Sequence, residues 1–207
     1  MDVLWLGGSA CAGKTSVARL LAAQHGLTLY SCDERFEDHR RRADPARHPH
    51  FHRLMDRPME ELWAQPAEVQ AGELLRFYED EMEMILEDLR ELPGPVLVEG
   101  VGLLPEWIAA VCADPRRALW LISTPSFRRQ AYPQRGPFVS ELLARCADPE
   151  AAFSRWMARD DLIARHLEAE ARRLGLQTLT VDGSQSVEEV ARRWVTRTNT
   201  DEHRLEG

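Results

Sequence analysis

The sequence predicts an α/β protein, with helices covering both faces of a five-stranded parallel sheet in three layers. Two observations predict it. Five short apolar runs, near residues 2–6, 27–31, 96–98, 118–122 and 177–181, alternate along the chain with segments of helical periodicity. The residues that close the first three runs are a glycine-rich stretch, Asp33 and Glu99. They fall where a parallel sheet gathers its ligand site, at the carboxyl ends of its strands.

Each element has its own local reason. Asp2 to Leu6 is short and apolar and runs straight into the glycine-rich stretch. Lys14 to His25 places Val17, Leu20 and Leu21 at helical spacing, with Gly26 as a stop. Leu27 to Ser31 predicts the second strand, ending at Cys32-Asp33. Residues 34–66 are rich in arginine and histidine and broken by four prolines, which predicts short helices and loops in a mobile lobe. From Ala67 to Leu92, Leu74, Tyr78, Met82, Ile85 and Leu89 form one stripe of a long helix. Pro93-Gly94-Pro95 ends it.

Val96 to Val98 predicts a buried strand that delivers Glu99-Gly100, followed by a helix around Glu106 to Cys112. Ala118 to Ile122 is the fourth strand and Ser126 to Ala131 a helix, and Pro133 to Pro137 reads as a loop carrying Arg135. Pro149 to Leu174 predicts one long helix or two. Gln177 to Val181 is the last strand and Val187 to Val195 the last helix, with Ser186 and Glu189 spaced as a capping box. The last nine residues are polar and predicted to fray.

The chain has 207 residues, 44% hydrophobic and 29% charged, enough for one core with a small inserted lobe but not for two full domains. Residues 1–207 are therefore read as one domain. Net charge is −8, so no general basic surface points to nucleic acid, and an anionic ligand must be held by local positive charge. No apolar run approaches a membrane span. Cys11, Cys32, Cys112 and Cys146 show no CxxC pairing and read as free thiols, which makes the cytoplasm the expected location. Oligomeric state is left open.

Of the 26 lysines and arginines, one is a lysine, Lys14, and it sits inside Gly8-Ser9-Ala10-Cys11-Ala12-Gly13-Lys14-Thr15. Arginine has replaced lysine wherever charge alone suffices. A compact ammonium on a flexible stem is kept where a planar guanidinium is not equivalent. Gly8 and Gly13 permit a tight turn that aims successive amides inward, and the small Ser9, Ala10 and Ala12 keep side chains clear. The pattern predicts a triphosphate cradle running through Ser16: Lys14 on the β- and γ-phosphates, Thr15 on Mg2+, and the following helix adding its positive end.

The loop, Asp33, the Val-Leu-Val-Glu-Gly segment at 96–100 and Val181-Asp182-Gly183-Ser184 together resemble the small P-loop kinases of the nucleoside, nucleotide and metabolite group. Glu99-Gly100 is similar to the pair in the uridine-kinase-like and phosphoglycerate-kinase-like members. The resemblance spans about residues 2–197 and implies a P-loop NTPase fold with a helical acceptor lobe at 34–66 and a lid at 126–160.

It also implies roles. Asp33 would orient or deprotonate an acceptor hydroxyl, although a turn aspartate also caps helices. Glu99 would hold Mg2+ through water or bind the acceptor. Arg128, Arg129 and Arg135 flank the lid, where Arg128 and Arg135 would neutralise the transferring phosphoryl group. Arg159-Asp160-Asp161 is similar to positions of the adenylate kinase lid. Gly183 would pass its backbone by the adenine. Among the lobe arginines, Arg35 and Arg53 are candidates for an anionic acceptor, or else part of a solvated charge run. His48, His50 and His52 alternate, with no cysteine or carboxylate completing a metal set.

The expected activity is transfer of the γ-phosphate of Mg-ATP to a small-molecule hydroxyl or phosphate acceptor. ATP is preferred to GTP because no guanine-reading Asn/Thr-Lys-x-Asp pattern exists. An ATP or GTP hydrolase or switch, with water as acceptor, and a non-catalytic nucleotide sensor stand as alternatives. The acceptor itself is not legible in 34–66.

Overall fold

The computed structural model describes residues 2–199, so all of the polar tail except Asn199 lies outside the described residues. Five parallel strands form the sheet: β1 Val3–Gly8, β2 Thr28–Ser31, β3 Val96–Glu99, β4 Ala118–Ser123 and β5 Gln177–Val181, in the order β2-β3-β1-β4-β5. The register pairs Val3 with Val96, Thr28 with Val96, Trp5 with Ala118 and Leu119 with Gln177.

The strands alternate their side chains between two cores, as a strand period of two requires. One face carries Val3, Trp5, Tyr30, Val96, Val98, Ala118 and Trp120. It packs on α5 (Ala67–Glu91), α6 (Pro105–Val111) and α9 (Pro149–Arg173). The other carries Leu6, Leu97, Leu119, Leu121, Leu179 and Val181 against α1 (Lys14–His25) and α10 (Val187–Asn199). The three-layer α/β architecture expected from the sequence is present.

The remaining helices are α2 Cys32–Arg42, α3 Pro49–Met55, α4 Met59–Ala64, α7 Pro125–Ala131 and α8 Phe138–Leu143. Residues 34–66 are thus short helices joined by turns. Residues 149–173 form one long helix, the first of the two expected alternatives, capped by Asp148 accepting from Ala151 N and uninterrupted by proline or glycine after Pro149. Two details differ from expectation. The stretch expected to be a loop after α7 is wound into a 3-10 turn, Tyr132–Arg135, seated by the buried Tyr132 ring. The short α8 follows it, unread from sequence because six residues carry too little periodicity.

A buried polar cluster fastens α2 to α5. The His39 ring lies between Glu81 (Nδ1 to Oε1, 2.9 Å) and Asp88 (Nε2 to Oδ2, 3.2 Å), and Tyr30 donates to the same Asp88 oxygen at 2.6 Å. A third apolar cluster, Trp63, Tyr132, Val139, Ala152, Trp156 and Met157, joins α4 to α8 and α9 beside the glycine loop.

Candidate phosphate-binding site

The loop's shape follows from its glycines. Gly8 has φ of 130° and lies so close to β4 that an added Cβ would stand 2.0 Å from Leu121 O. Gly13 has φ of 78° and forms the N-cap of α1. Cys11 occupies left-handed space as well, at φ 60°. The first-turn amides of α1 lack acceptors within their own helix, and with the positive end of the helix dipole they lie at the loop's end, after Gly13.

Four strand ends converge here. Lys14 donates to Ser9 O at 2.8 Å, spanning the loop from within. Burial lowers the Lys14 pKa, and the Glu99 and Asp33 carboxylates counter this by favouring the charged form. Glu99 is itself buried at the end of β3, where Oε1 accepts from Thr15 Oγ1 at 3.1 Å and from Ser31 Oγ at 2.6 Å. Asp33 sits in the first turn of α2, exposed, on the rim of the same cavity.

That cavity encloses about 360 Å3 and is lined by the loop from Ala10 to Ser16, by Asp33 and Glu99, and by Arg135, Arg159 and Asp160. Leu74, Tyr78, Val101 and Ile163 supply its apolar surface. The structure therefore brings Lys14, Thr15, Ser16, Asp33, Glu99 and Arg135 of the expected site residues to one place. Arg135 rests over the rings of Tyr132 and Phe138, 5.6 Å from each centroid.

Other expected residues lie elsewhere. Arg128 does not line the cavity: it is 1% exposed, donates to Ser123 Oγ (3.0 Å) and Ser123 O (2.7 Å), and pairs with Asp161. A charge so engaged behind the loop is not presented to a phosphoryl group. Arg35 lies over the Tyr30 ring at 5.6 Å, and Arg53 lines a separate hollow with His50, Arg57 and Glu73. Neither faces the cavity, because α2 and α3 turn these side chains away from it. Gly183, at φ 89°, packs against the Phe127 ring, which an added Cβ would meet at 2.6 Å. Among the described residues no group of three or more His, Cys, Asp or Glu side chains is placed to hold a metal ion. His48 instead accepts from Asp44 N through Nδ1 at 2.9 Å.

Sequence reasoning missed Ser123, Ser31, Tyr78 and Tyr132. Ser123 binds Ser9 Oγ at 2.9 Å and donates to Ala10 O at 2.7 Å, so it carries the hold of Arg128 into the loop. Its signal was available: like Glu99, it is the polar residue that closes a buried strand. Tyr132 donates to Asp160, accepts from Trp156 Nε1 at 3.1 Å, and has its pKa raised by burial and by the Asp160 charge. Arg159 donates twice to Asp160 Oδ1, at 2.9 and 2.7 Å, and lies 4.8 Å over the Trp63 ring. Burial opposes its charge, yet Asp160, Tyr132 and Tyr78 together more than offset this and hold the guanidinium pKa above its usual value.

No protein-family model matches the chain. No curated protein matches it significantly. Among solved structures it is similar to the shikimate kinase from Acinetobacter baumannii in complex with shikimate, at 15% identity and a TM-score of 0.52, over 97% of this chain and 94% of that one. The shikimate kinase from Bacteroides thetaiotaomicron aligns at 16% identity with a TM-score of 0.48, over 95% and 96% of the two chains. Among the described residues no helix is long and apolar enough to cross a membrane. The arrangement of five parallel strands, glycine loop and flanking helices is the fold of the small P-loop kinases.

Proposed function

We propose that this chain is an ATP-dependent phosphotransferase that moves the γ-phosphate of Mg-ATP to a small-molecule hydroxyl or phosphate acceptor. The observation that carries the reading is the meeting of Lys14, Thr15, Glu99 and Asp33 in one cavity that continues past the phosphate cradle into an apolar wall. A hydrolase needs room for water alone. This cavity has room and surface for an organic acceptor.

The loop amides and Lys14 bind the β- and γ-phosphates. Thr15 and Glu99 fit Mg2+: both offer hard oxygen donors, and this ion keeps most of its waters and is completed by phosphate oxygens. Bound there, it would neutralise charge on the phosphates. Asp33 orients the acceptor hydroxyl and takes its proton as the oxygen attacks. Arg135 offsets negative charge at the transferring group, and Arg128 holds the loop through Ser123. Segment 126–160 serves as lid, and segment 34–66 as the lobe that closes over an acceptor whose wall α5, α9 and Val101 supply, excluding water. Gly183 and Phe127 lie at the purine end. The four free cysteines support a cytoplasmic setting.

An ADP-release screen over nucleosides, nucleotides, sugars, phosphoglycerates, aminoglycoside-type alcohols and shikimate tests the reading. Acceptor-dependent release that disappears in Lys14→Ala is expected. If every acceptor gave the background rate and Lys14→Ala matched wild type, the proposal would be abandoned. Asp33→Asn should lose transfer while ATP affinity stays within a few-fold; full activity removes Asp33 from the mechanism.

A further inference from the structure

The charges around the cavity are unevenly committed. Among the described residues that line it, the cations are Lys14, Arg135 and Arg159. Lys14 belongs to the loop. Arg135 acts electrostatically on Lys14 and Cys11, which places it at the phosphate end. Arg159 acts electrostatically on Tyr78, which places it beside the wall, but its two hydrogen bonds to Asp160 and its flat face on Trp63 already match its charge.

The arginines of the 34–66 segment, which look in sequence like an anion-binding set, are engaged elsewhere. Arg40 pairs with Glu37, Arg41 with Asp38, Arg42 with Asp88 and Arg57 with Glu73. Past the phosphate cradle, the wall consists of Leu74 and Tyr78 from α5, Val101 after β3 and Ile163 from α9, with the carboxylate of Asp33 at its rim.

We infer that the acceptor is an uncharged alcohol with an apolar face, and not a carboxylate or a phosphate ester; this rests on the kinase reading and names the acceptor class of that same cavity. An anion seated against this wall would lose its water and find its nearest cation, Arg159, already matched by Asp160, and would face the carboxylates of Asp33 and Asp160. An uncharged alcohol gives up only hydroxyl hydration. Asp33 accepts from the attacking hydroxyl, and the Tyr78 phenol, which burial keeps protonated, donates to a second oxygen. Leu74, Val101 and Ile163 take the apolar face.

The test compares kcat/KM, by ADP release at saturating Mg-ATP, across three size-matched sets. These are uncharged cyclic and aryl diols and triols, hydroxy-carboxylates and sugar phosphates, and amino-alcohols. The best uncharged compound should exceed the best anionic one by about ten-fold or more, the scale of discrimination when a buried group is left unpaired. Leu74→Arg, which adds a cation to the wall, should narrow or reverse that ratio while the ATP KM stays within about two-fold. Highest turnover with an anionic or a cationic acceptor overturns the inference. So does a full panel without turnover in a protein whose ATP binding still depends on Lys14. ATP binding that is unchanged in Lys14→Ala would instead overturn the kinase reading beneath it.

Discussion

Thr15 Oγ1 donates to Glu99 Oε1 across 3.1 Å, joining the start of α1 to the end of β3 over 84 positions of sequence. The contact holds two hard oxygen donors at the mouth of the glycine loop, and Ser31 donates to the same Glu99 oxygen at 2.6 Å. Glu99→Gln keeps the shape and removes the charge. It is expected to raise the Mg2+ concentration needed for half-maximal activity by about 10–100-fold with little change in melting temperature. A magnesium titration of wild type and variant checks this, and identical curves would remove Glu99 from the metal site.

Two arginines expected from sequence to share a task are separated by the structure. Arg128 is fully buried and bonded to Ser123 and Asp161, whereas Arg135 stands over Tyr132 and Phe138 on the cavity wall. Arg128→Met should cost about 3 kcal/mol of stability, because it strands Asp161 and Ser123 O. Arg135→Ala should leave the unfolding midpoint nearly unchanged and lower kcat. Denaturant melts together with steady-state kinetics distinguish them; equal destabilisation by both would contradict the assignment.

Glycines with positive φ are not equivalent here. Gly8→Ala drives a Cβ to 2.0 Å from Leu121 O, a backbone atom that cannot move without opening β1 from β4. Loss of soluble folded protein is the expected outcome. Gly26→Ala meets nothing within 4 Å and carries only its left-handed backbone cost, about 1–2 kcal/mol. Expression and thermal melts of the two variants decide it.

His166 on α9 lies 3.8 Å from Glu106 on α6, an ion pair too long to be a hydrogen bond. Glu106 raises the His166 pKa, and His166 lowers that of Glu106. The histidine's contribution is complete below its unfolded pKa of about 6.5 and is lost as pH rises through the higher folded value. The glutamate's is complete above about 4.5 and is lost on further acidification. Both groups are over one-third exposed, so His166→Gln should cost no more than about 0.5 kcal/mol near pH 6 and nothing near pH 9. Urea melts at the two pH values measure the difference; a larger loss at pH 9 would contradict the pairing.

The predicted acceptor arginines show where local reading stops. Arg35 and Arg53 stand in a basic, weakly periodic segment, and nothing in that segment states which way α2 and α3 present them. Their directions are set by the His39, Glu81 and Asp88 cluster and by the stacked rings of Phe51 and Phe77, 4.5 Å apart, which join residues far apart in the chain. Ser123 failed for a different reason: it was readable as a strand-closing polar residue, but its partners Ser9 and Ala10 lie more than a hundred positions away.

By itself the sequence determined the five strands, their parallel arrangement and the glycine loop between β1 and α1. Each depends on local matters: alternation of apolar runs with helical stripes, glycines that allow positive φ, and one lysine in the loop. Only the tertiary structure decided which charges face the cavity and which are matched away from it. A side chain's charge is written in the sequence, but its partner and its solvent are chosen by packing. That choice turned Arg128 into a support of the loop, matched Arg159 to Asp160, and left an apolar wall in the cavity beside the loop.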